Sequence, residues 1–495
     1  MRLMHSIPAG VYTAAQVREL DRCAIERYDI PGYELMTRAG HAALNALRRT
    51  WPDTRSLCIV CGPGNNGGDG FVIARLARAQ GLRAHVVSLT DPVKLAGDAR
   101  RAFDDFTTTG GQCEYWHPDA AHGADVIVDA VFGTGLGRAV EGRIAEIFGT
   151  INAAGRPIVA VDIPSGLHAD TGHELGIAIR AELTVTFIGR KMGCYVGAGP
   201  DVVGRLVFDD LGVPAALYRD VPCARLLLDE SALTTALPPR ARTAHKGRHG
   251  HVLVVGGAAG MGGAARLAGE AALRVGAGLV TTAVHPHSLG ALAGRPELMT
   301  AAIGTFTELE GALERASVVA LGPGLGQSPW SMEMLAGVLA CDKPLVVDAD
   351  ALNLLALDPR SRDAWVLTPH PGEAARLLGT TTQAVQADRL GAAIQLQTRY
   401  GGTVVLKGAG SIVQVPAGPG WICDRGNPGM ASAGMGDVLT GVIAGIAAQC
   451  GDLALAARAG VLVHAMAGDR AAAAGQRGLT AGDVIGELRA CVNPR

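Results

Sequence analysis

Short β-branched runs recur along this chain, and nearly every one passes through a glycine-rich turn into a stretch of helical period. Strand candidates in the first half are 57–61, 85–89, 126–131, 158–161 and 183–187; the alternation resumes at His251 with HVLVVGG and repeats at 279–284, 318–321, 344–347, 365–367 and 403–406. Strands separated by helices build βαβ units, so the fold class is α/β with mainly parallel sheets. Thr13 is placed to cap a helix over 14–27, and a second helix is expected over 33–49. A chain of 495 residues exceeds what one core supports, so two tandem α/β domains are expected, over 1–220 and 251–495. Residues 221–250, with Pro238, Pro239 and the basic group Arg240, Arg242, His245, Lys246 and Arg248, read as a connection holding one helical turn at 230–237.

Charge excludes some function classes. The 44 basic residues and 46 acidic ones leave a net charge of −2, which gives no field to draw in nucleic acid or an acidic membrane. No window reaches the roughly 18 apolar residues of a spanning helix, and MRLMHSIPAGVYTAAQVREL lacks the apolar core of a secretion signal. Of the 10 cysteines only Cys58 and Cys61 form a C-x-x-C, within an apolar run and with no second pair to complete a zinc site. Buried strand cysteines and a reducing, cytoplasmic location are expected. Glycine- and alanine-rich helices permit close packing into a homo-oligomer.

Where the first domain's strand 57–61 ends stands GPGNNGGDG (62–70), with a helix expected from about Phe71. Glycines allow close approach to a phosphate, and a helix N-terminus offers free N–H groups and the positive end of a dipole. Asp129 lies in the next such strand, which runs into FGTGLGR (132–138); a third ends in DIPSG (162–166). Strand ends of an open parallel sheet line one crevice, so Asn66, Asp69, Asp129, Asp162 and Ser165 are expected to converge there, an oxygen set that suits a hard cation.

In the second domain, GNPGMASAGMGDVL (426–439) leads into a helix through 442–448. A glycine turn at a helix mouth makes an anion hole from backbone amides, and Asp437 stands beside whatever phosphoryl group it holds. Lys407, Gly408, Ala409, Gly410 and Ser411 follow a strand and can seat a nucleotide, LGPGLG (321–326) ends another strand, and LTPHPGE (367–373) presents His370 between two prolines.

These motifs carry a resemblance. Residues 11–217, through ELMTRAG, GPGNNGGDG, DAVFGTGLGR and DIPSGL, resemble the NAD(P)H-hydrate epimerase family, and 251–488, through HKGRHGHVLVVGG, RVGAGLV, LGPGLG, VVDADALN, LTPHPGE, LKGAG and NPGMASAGMGDVLTG, resemble the ADP-dependent NAD(P)H-hydrate dehydratases of the ribokinase-like superfamily. The resemblance implies a Rossmann-like three-layer first domain and a ribokinase-like second one. It implies hydrate binding on Asn65, Asn66, Gly67, Gly68 and Asp69 and on Gly133, Thr134, Gly135, Leu136, Gly137 and Arg138, with Asp162 contacting substrate and serving as the proton-transfer candidate. A potassium ion maps onto Asn66, Asp129 and Ser165. In the second domain the hydrate maps onto Ala265, Gly326, His370 and Asp437, and the adenine nucleotide onto residues 407–411 and Gly436, with magnesium accompanying ADP and Asp437 as the catalytic base. The sequence departs from the pattern at Met192, where proline usually follows Lys191, and at Met435 and Ser411, where threonine is familiar. The reaction so implied is epimerisation of R and S NAD(P)H hydrates, then ADP-dependent dehydration to NAD(P)H with release of AMP and phosphate. Two other readings stay open: a kinase of a hydroxymethyl vitamin precursor with a regulatory first domain, and a first domain that binds nucleotide without turnover.

Overall fold

The structure is a computed structural model that describes residues 10–493, so the first nine residues, which carry part of the secretion-signal reading, and the last two lie outside the described residues. The chain divides into two compact units, Met1–Leu226 and Leu227–Arg495.

In the first unit the sheet runs, in spatial order, Cys113–Tyr115, Arg83–Ser88, Ser56–Cys61, Val126–Ala130, Ile158–Val161, Leu183–Phe187 and Arg205–Asp209, with every pairing parallel. From Ser56–Cys61 the chain steps outward through two strands and then returns to the other side as Val126–Ala130. A ligand crevice opens at such a reversal, beyond the carboxyl ends of the strands. The central strands are buried throughout because both faces are covered, one by a core around Leu44, Phe71 and Phe106, the other by one around Cys58, Phe148 and Ile179. Cys58 and Cys61 are free thiols buried on these two opposite faces. Thr13 caps helix Ala14–Arg27 through a reciprocal pair with Gln16, as expected.

Helix Asn65–Ala79 begins at Asn65, not near Phe71. The asparagines and glycines of the turn are its first two turns, although glycine is a poor helix former. Close approach decides this: a Cβ at Gly67 would lie 2.1 Å from the Gly62 carbonyl oxygen, and one at Gly70 would lie 2.7 Å from Cys61 Sγ. These glycines serve helix-against-strand packing, whereas Gly64 has open space before it.

The second unit's sheet runs Met299–Ala302, Leu279–Val284, His251–Gly256, Val318–Leu321, Leu345–Val347, Trp365–Leu367 and Thr403–Leu406 in parallel, and closes with the antiparallel strands Ser411–Gln414 and Gly420–Cys423. Helices Gly262–Arg274, Met435–Cys450 and Leu453–Ala471 pack against it through alanines and glycines; a Cβ at Gly441 would lie 2.0 Å from the Ala268 carbonyl oxygen. Helix Met435–Cys450 starts ahead of the expected 442. The segment 221–250 is no loose tether: helix Glu230–Ala236 is capped by Asp229 and buries Leu233 and Ala236 in the second unit's core, and the Arg240 guanidinium donates to the Gly276 carbonyl and to Gln449 Oε1.

Candidate active sites

In the first unit a cleft of about 810 Å³ opens at the strand reversal. Its lining includes Asn65, Asn66, Asp69, the whole loop from Gly133 to Arg138, and Asp162, so the expected residues from three strand ends do meet. Gly67 and Gly68 do not line it; they face the protein instead. Asp129 and Ser165 lie beneath the floor without solvent exposure. The Ser165 hydroxyl donates to Asp129 Oδ1 at 2.6 Å, the Ser165 N–H to Oδ2 at 2.8 Å, and the Val131 N–H to Oδ1 at 3.2 Å. Burial nonetheless raises the Asp129 carboxyl to about 6, and no cationic side chain among the described residues acts to lower it. Asn66 is buried with both side-chain polar atoms unpartnered, and it lies against Gly133 in the loop whose Phe132 N–H donates to Ser165 Oγ at 2.8 Å.

Asp162 adopts φ +72°, a left-handed conformation that aspartate tolerates better than most residues and that marks a constrained position. Its carboxylate pairs with Lys191, whose buried ammonium also donates to the Phe187 carbonyl at 2.9 Å. Lys191 is fixed from behind by pairing of the short strands Gly10–Tyr12 and Arg190–Lys191. Two further acids face this pair. Asp21 is raised to about 6, mainly by burial, and Asp69 is raised well above its usual range by burial and by the Asp162 and Asp21 charges. Three carboxylates thus share one lysine, an arrangement in which a proton is readily held and passed. Sequence reasoning missed Asp21 and gave Lys191 no role. Asp21 did leave a signal, since it interrupts the buried stripe Val17, Leu20 and Ala24 of its helix.

The second site gathers on consecutive strand ends. Asp348 follows Leu345–Val347, His370 lies just past Trp365–Leu367, and Lys407 follows Thr403–Leu406. Lys407 Nζ lies 2.6 Å from Asp348 Oδ1 and 3.7 Å from Glu373 Oε2, and the Thr440 hydroxyl donates to Asp348 Oδ2 at 2.7 Å. Burial opposes both charges of the Asp348–Lys407 pair, yet their attraction prevails: the carboxyl is held below and the ammonium above its ordinary range. Glu373, also buried, rises to about 7.

Over this pair stands the mouth of helix Met435–Cys450, entered through Gly434 at φ +87°. A side chain at Gly434 would strain the backbone and lie 2.7 Å from Leu267. At Gly436 a Cβ would come within 3.2 Å of Lys407 Nζ and 3.4 Å of Asp348 Oδ2, so the ion pair sits directly under the amides that open the helix. Asp437, in the first turn, rises to about 7, chiefly through burial and then through the Asp348 charge, with Lys407 opposing. A carboxylate poised near neutrality beside an amide-lined mouth and a lysine can accept a hydroxyl proton while an anion is held.

His370 caps helix Pro371–Leu378: its Nδ1 accepts from the Gly372 N–H at 3.0 Å, which leaves Nε2 as the protonated nitrogen of the neutral ring, half-exposed. Ser411 closes the Lys407 turn, donating to the Gly408 carbonyl at 2.9 Å, while Gly408 and Ala409 are exposed and Gly410 is buried. Gly326 holds φ +72° and donates its N–H to Asp350 Oδ2 at 2.9 Å. Ala265 has no exposed surface and sits in the core. Sequence reasoning assigned no role to Asp348, Glu373 or Thr440, although Asp348 directly follows an apolar strand.

Comparison with known proteins agrees with this two-part anatomy. Residues 252–489 match the NAD(P)H-hydrate dehydratase family model and residues 32–193 match that of the YjeF-related protein N-terminus. The bifunctional NAD(P)H-hydrate repair enzyme Nnr of Coxiella burnetii is 46% identical over 98% of this chain and 99% of its own length; that of Escherichia coli K12 is 44% identical over 99% and 95%. A solved ribokinase-like superfamily protein from Enterococcus faecalis V583 aligns with 54% of this chain and 94% of its own, at 30% identity and a TM-score of 0.50. With both units matched and relatives aligned almost end to end, the chain belongs to the family of bifunctional NAD(P)H-hydrate repair enzymes.

Proposed function

We propose that this protein restores hydrated NADH and NADPH in two steps. The first unit, over residues 1–220, interconverts the R and S hydrates; the second, over 251–495, uses ADP to dehydrate the S form. The observation that carries the reading is Asp437, a carboxyl raised to about 7 at a glycine-turned helix mouth, directly above the buried Lys407–Asp348 pair.

Hydroxide is a poor leaving group, so the ring hydroxyl is first converted into a phosphate ester. Asp437 takes its proton as the oxygen attacks the terminal phosphorus of ADP, and the bond to the AMP oxygen breaks. Amides of residues 434–437 and the Lys407 ammonium hold the phosphoryl charge. The ring nitrogen's lone pair then expels phosphate, and a proton leaves the adjacent carbon to give NAD(P)H. Residues 407–411 and Gly436 seat the nucleotide, and Ala265, Gly326 and His370 the hydrate, with Ala265 supporting the pocket wall from within the core. The carboxylates of Asp350 and Asp437 act on each other at this mouth, and such oxygen donors fit a magnesium ion, which would neutralise phosphate charge there when bound.

In the first unit the hydrate lies on Asn65, Asn66, Asp69 and residues 133–138, and Asp162, oriented by Lys191, transfers the proton that opens or re-forms the hydrated ring centre. Potassium fits the floor: among the described residues Asn66 Oδ1 has no partner and no cationic side chain pairs with Asp129, and Ser165 adds a third oxygen, a hard set for a hard ion. The charge it supplies when bound keeps Asp129 ionised and the loop at 132–138 in place.

Asp162→Ala is expected to slow R-to-S interconversion by about 10²–10⁴-fold while leaving dehydration of purified S hydrate unchanged, as read by separating the epimers chromatographically. Replacing choline by potassium in the buffer is expected to raise the melting temperature of the wild type but not of Asp129→Asn, because only an ion bound to the folded state shifts unfolding. The function as a whole is tested by adding ADP or ATP to purified R and S hydrates. Growth of reduced-nicotinamide absorbance, immediate from S and dependent on epimerisation from R, is expected with ADP; a stable phosphorylated product without it would mark a kinase. Fractionation to the cytoplasm checks the location inferred from composition.

A further inference from the structure

Away from both crevices, His85, Glu114 and His117 each bring a ligand atom to within 4.8 Å of the others, the one such grouping among the described residues. None of the three lines the cleft of the first unit. They come from three pieces of backbone at one edge of the sheet: strand Arg83–Ser88, the three-residue edge strand Cys113–Tyr115, and the turn that follows it. Parallel pairing of Val87 with Glu114 sets the register.

We propose that these three side chains form a binding site for a borderline divalent transition metal of the zinc class. The convergence of three ligand atoms, with one ring oriented from behind, carries the inference. His85 Nδ1 lies 3.0 Å from the Ala120 carbonyl oxygen, which only accepts, so Nδ1 carries the proton. In the neutral ring Nε2 then presents its lone pair toward Glu114 Oε1. A second proton on the ring or a metal ion makes this pairing favourable, and the convergence of a third ligand atom is what points to the metal. His117 Nε2 lies 3.7 Å from the same carboxylate oxygen and so provides a third ligand on one side, leaving the rest of the coordination sphere to water. A backbone carbonyl holding the far nitrogen of a ligating histidine is the second-shell arrangement that fixes tautomer and ring direction at metal sites. Here Ala120 is itself tied back, its N–H donating to the His117 carbonyl at 3.0 Å, so one turn supplies both a ligand and the support of another.

Two imidazoles and a carboxylate select zinc, copper or nickel over magnesium or calcium. No thiol belongs to the grouping, and Cys113 packs against the apolar core on the opposite face from Glu114, as strand alternation requires, so the donor set is nitrogen and oxygen. Bound metal would staple a short, solvent-facing edge strand to its neighbour, where an open edge otherwise invites pairing with another chain.

The test uses tag-free, full-length protein stripped with a chelator and titrated with Zn²⁺ alone against a chromophoric competitor, and in parallel with Co²⁺. About one zinc per chain is expected, with a cobalt spectrum lacking the thiolate charge-transfer band and a rise in melting temperature on zinc addition. His85→Ala and His117→Ala should each weaken zinc binding by more than roughly tenfold and abolish the thermal shift. As half-exposed substitutions that do not line the first unit's cleft, they should leave both turnover rates as in the wild type and move the metal-free melting temperature far less than zinc does. Absence of zinc binding, which would leave a protonated imidazole as the cation between His85 and Glu114, would overturn the proposal. So would a thiolate band or unchanged affinity in both variants.

Discussion

Asp437→Asn is expected to lower ADP-dependent dehydration by about 10²–10⁴-fold while the R and S hydrates continue to interconvert at the wild-type rate. Asparagine keeps the shape and can still accept from a hydroxyl, but it cannot take its proton. The substitution leaves no cavity, and it removes a carboxyl that burial and the Asp348 charge already hold largely protonated up to about pH 7. Folding is therefore preserved, and loss of rate reports chemistry. The same shift fixes the sign of the pH dependence. The ionised carboxylate is the active base, so wild-type dehydration rises with pH through about 7 and levels off above it. Residual activity in Asp437→Asn should lack that limb. A stopped assay of NADH formation over a pH series, with ADP saturating, measures both; a variant that retained most of the rate would remove Asp437 from the role of base.

A second large effect lies one layer deeper. Asp348 is 1% exposed and holds Lys407 through a 2.6 Å contact, so Asp348→Ala leaves a buried ammonium whose nearest remaining carboxylate, Glu373, is 3.7 Å away. Breaking a buried pair from one side costs about 3–5 kcal/mol, more than the pair itself contributes relative to a well-packed apolar substitute. Urea unfolding of the full chain should show this loss. Adding Lys407→Met to Asp348→Ala should recover much of it, because no stranded charge remains. Dehydration should stay low in the double variant, since stability returns but the cation beneath the Gly436 amide does not. Recovery of activity along with stability would show the pair to be structural only.

The main elements of both sheets were legible in the sequence because buried parallel strands are short apolar runs bounded by glycine, a pattern set by burial on both faces. Leu183–Phe187, Leu279–Val284 and Val318–Leu321 fall where that pattern puts them, and so does the Thr13 cap. Helix starts were less legible. Asn65–Ala79 begins with residues that disfavour helix in isolation, and only contact with Gly62 and Cys61 makes glycine the residue required there. The candidate site shows the same division. Asp162, Asp129 and Asp437 could be read from their place after strands or at a helix mouth. Asp21 left only a break in its helix's buried stripe; that this helix reaches the cleft depends on the pairing of Gly10–Tyr12 with Arg190–Lys191, strands too short to carry a signal.

Sequence alone determined the two α/β units, the strand-end turns where chemistry gathers, and the family to which those motifs point, since each rests on local period and residue type. Tertiary structure decided which glycines face a ligand and which face backbone, which acids share Lys191 and Lys407, and that Ala265 lies inside the core. Charge and steric contact act through space over a few ångströms, between residues such as Asp348 and Lys407 that the chain separates by 59 positions, and no local pattern records such a distance.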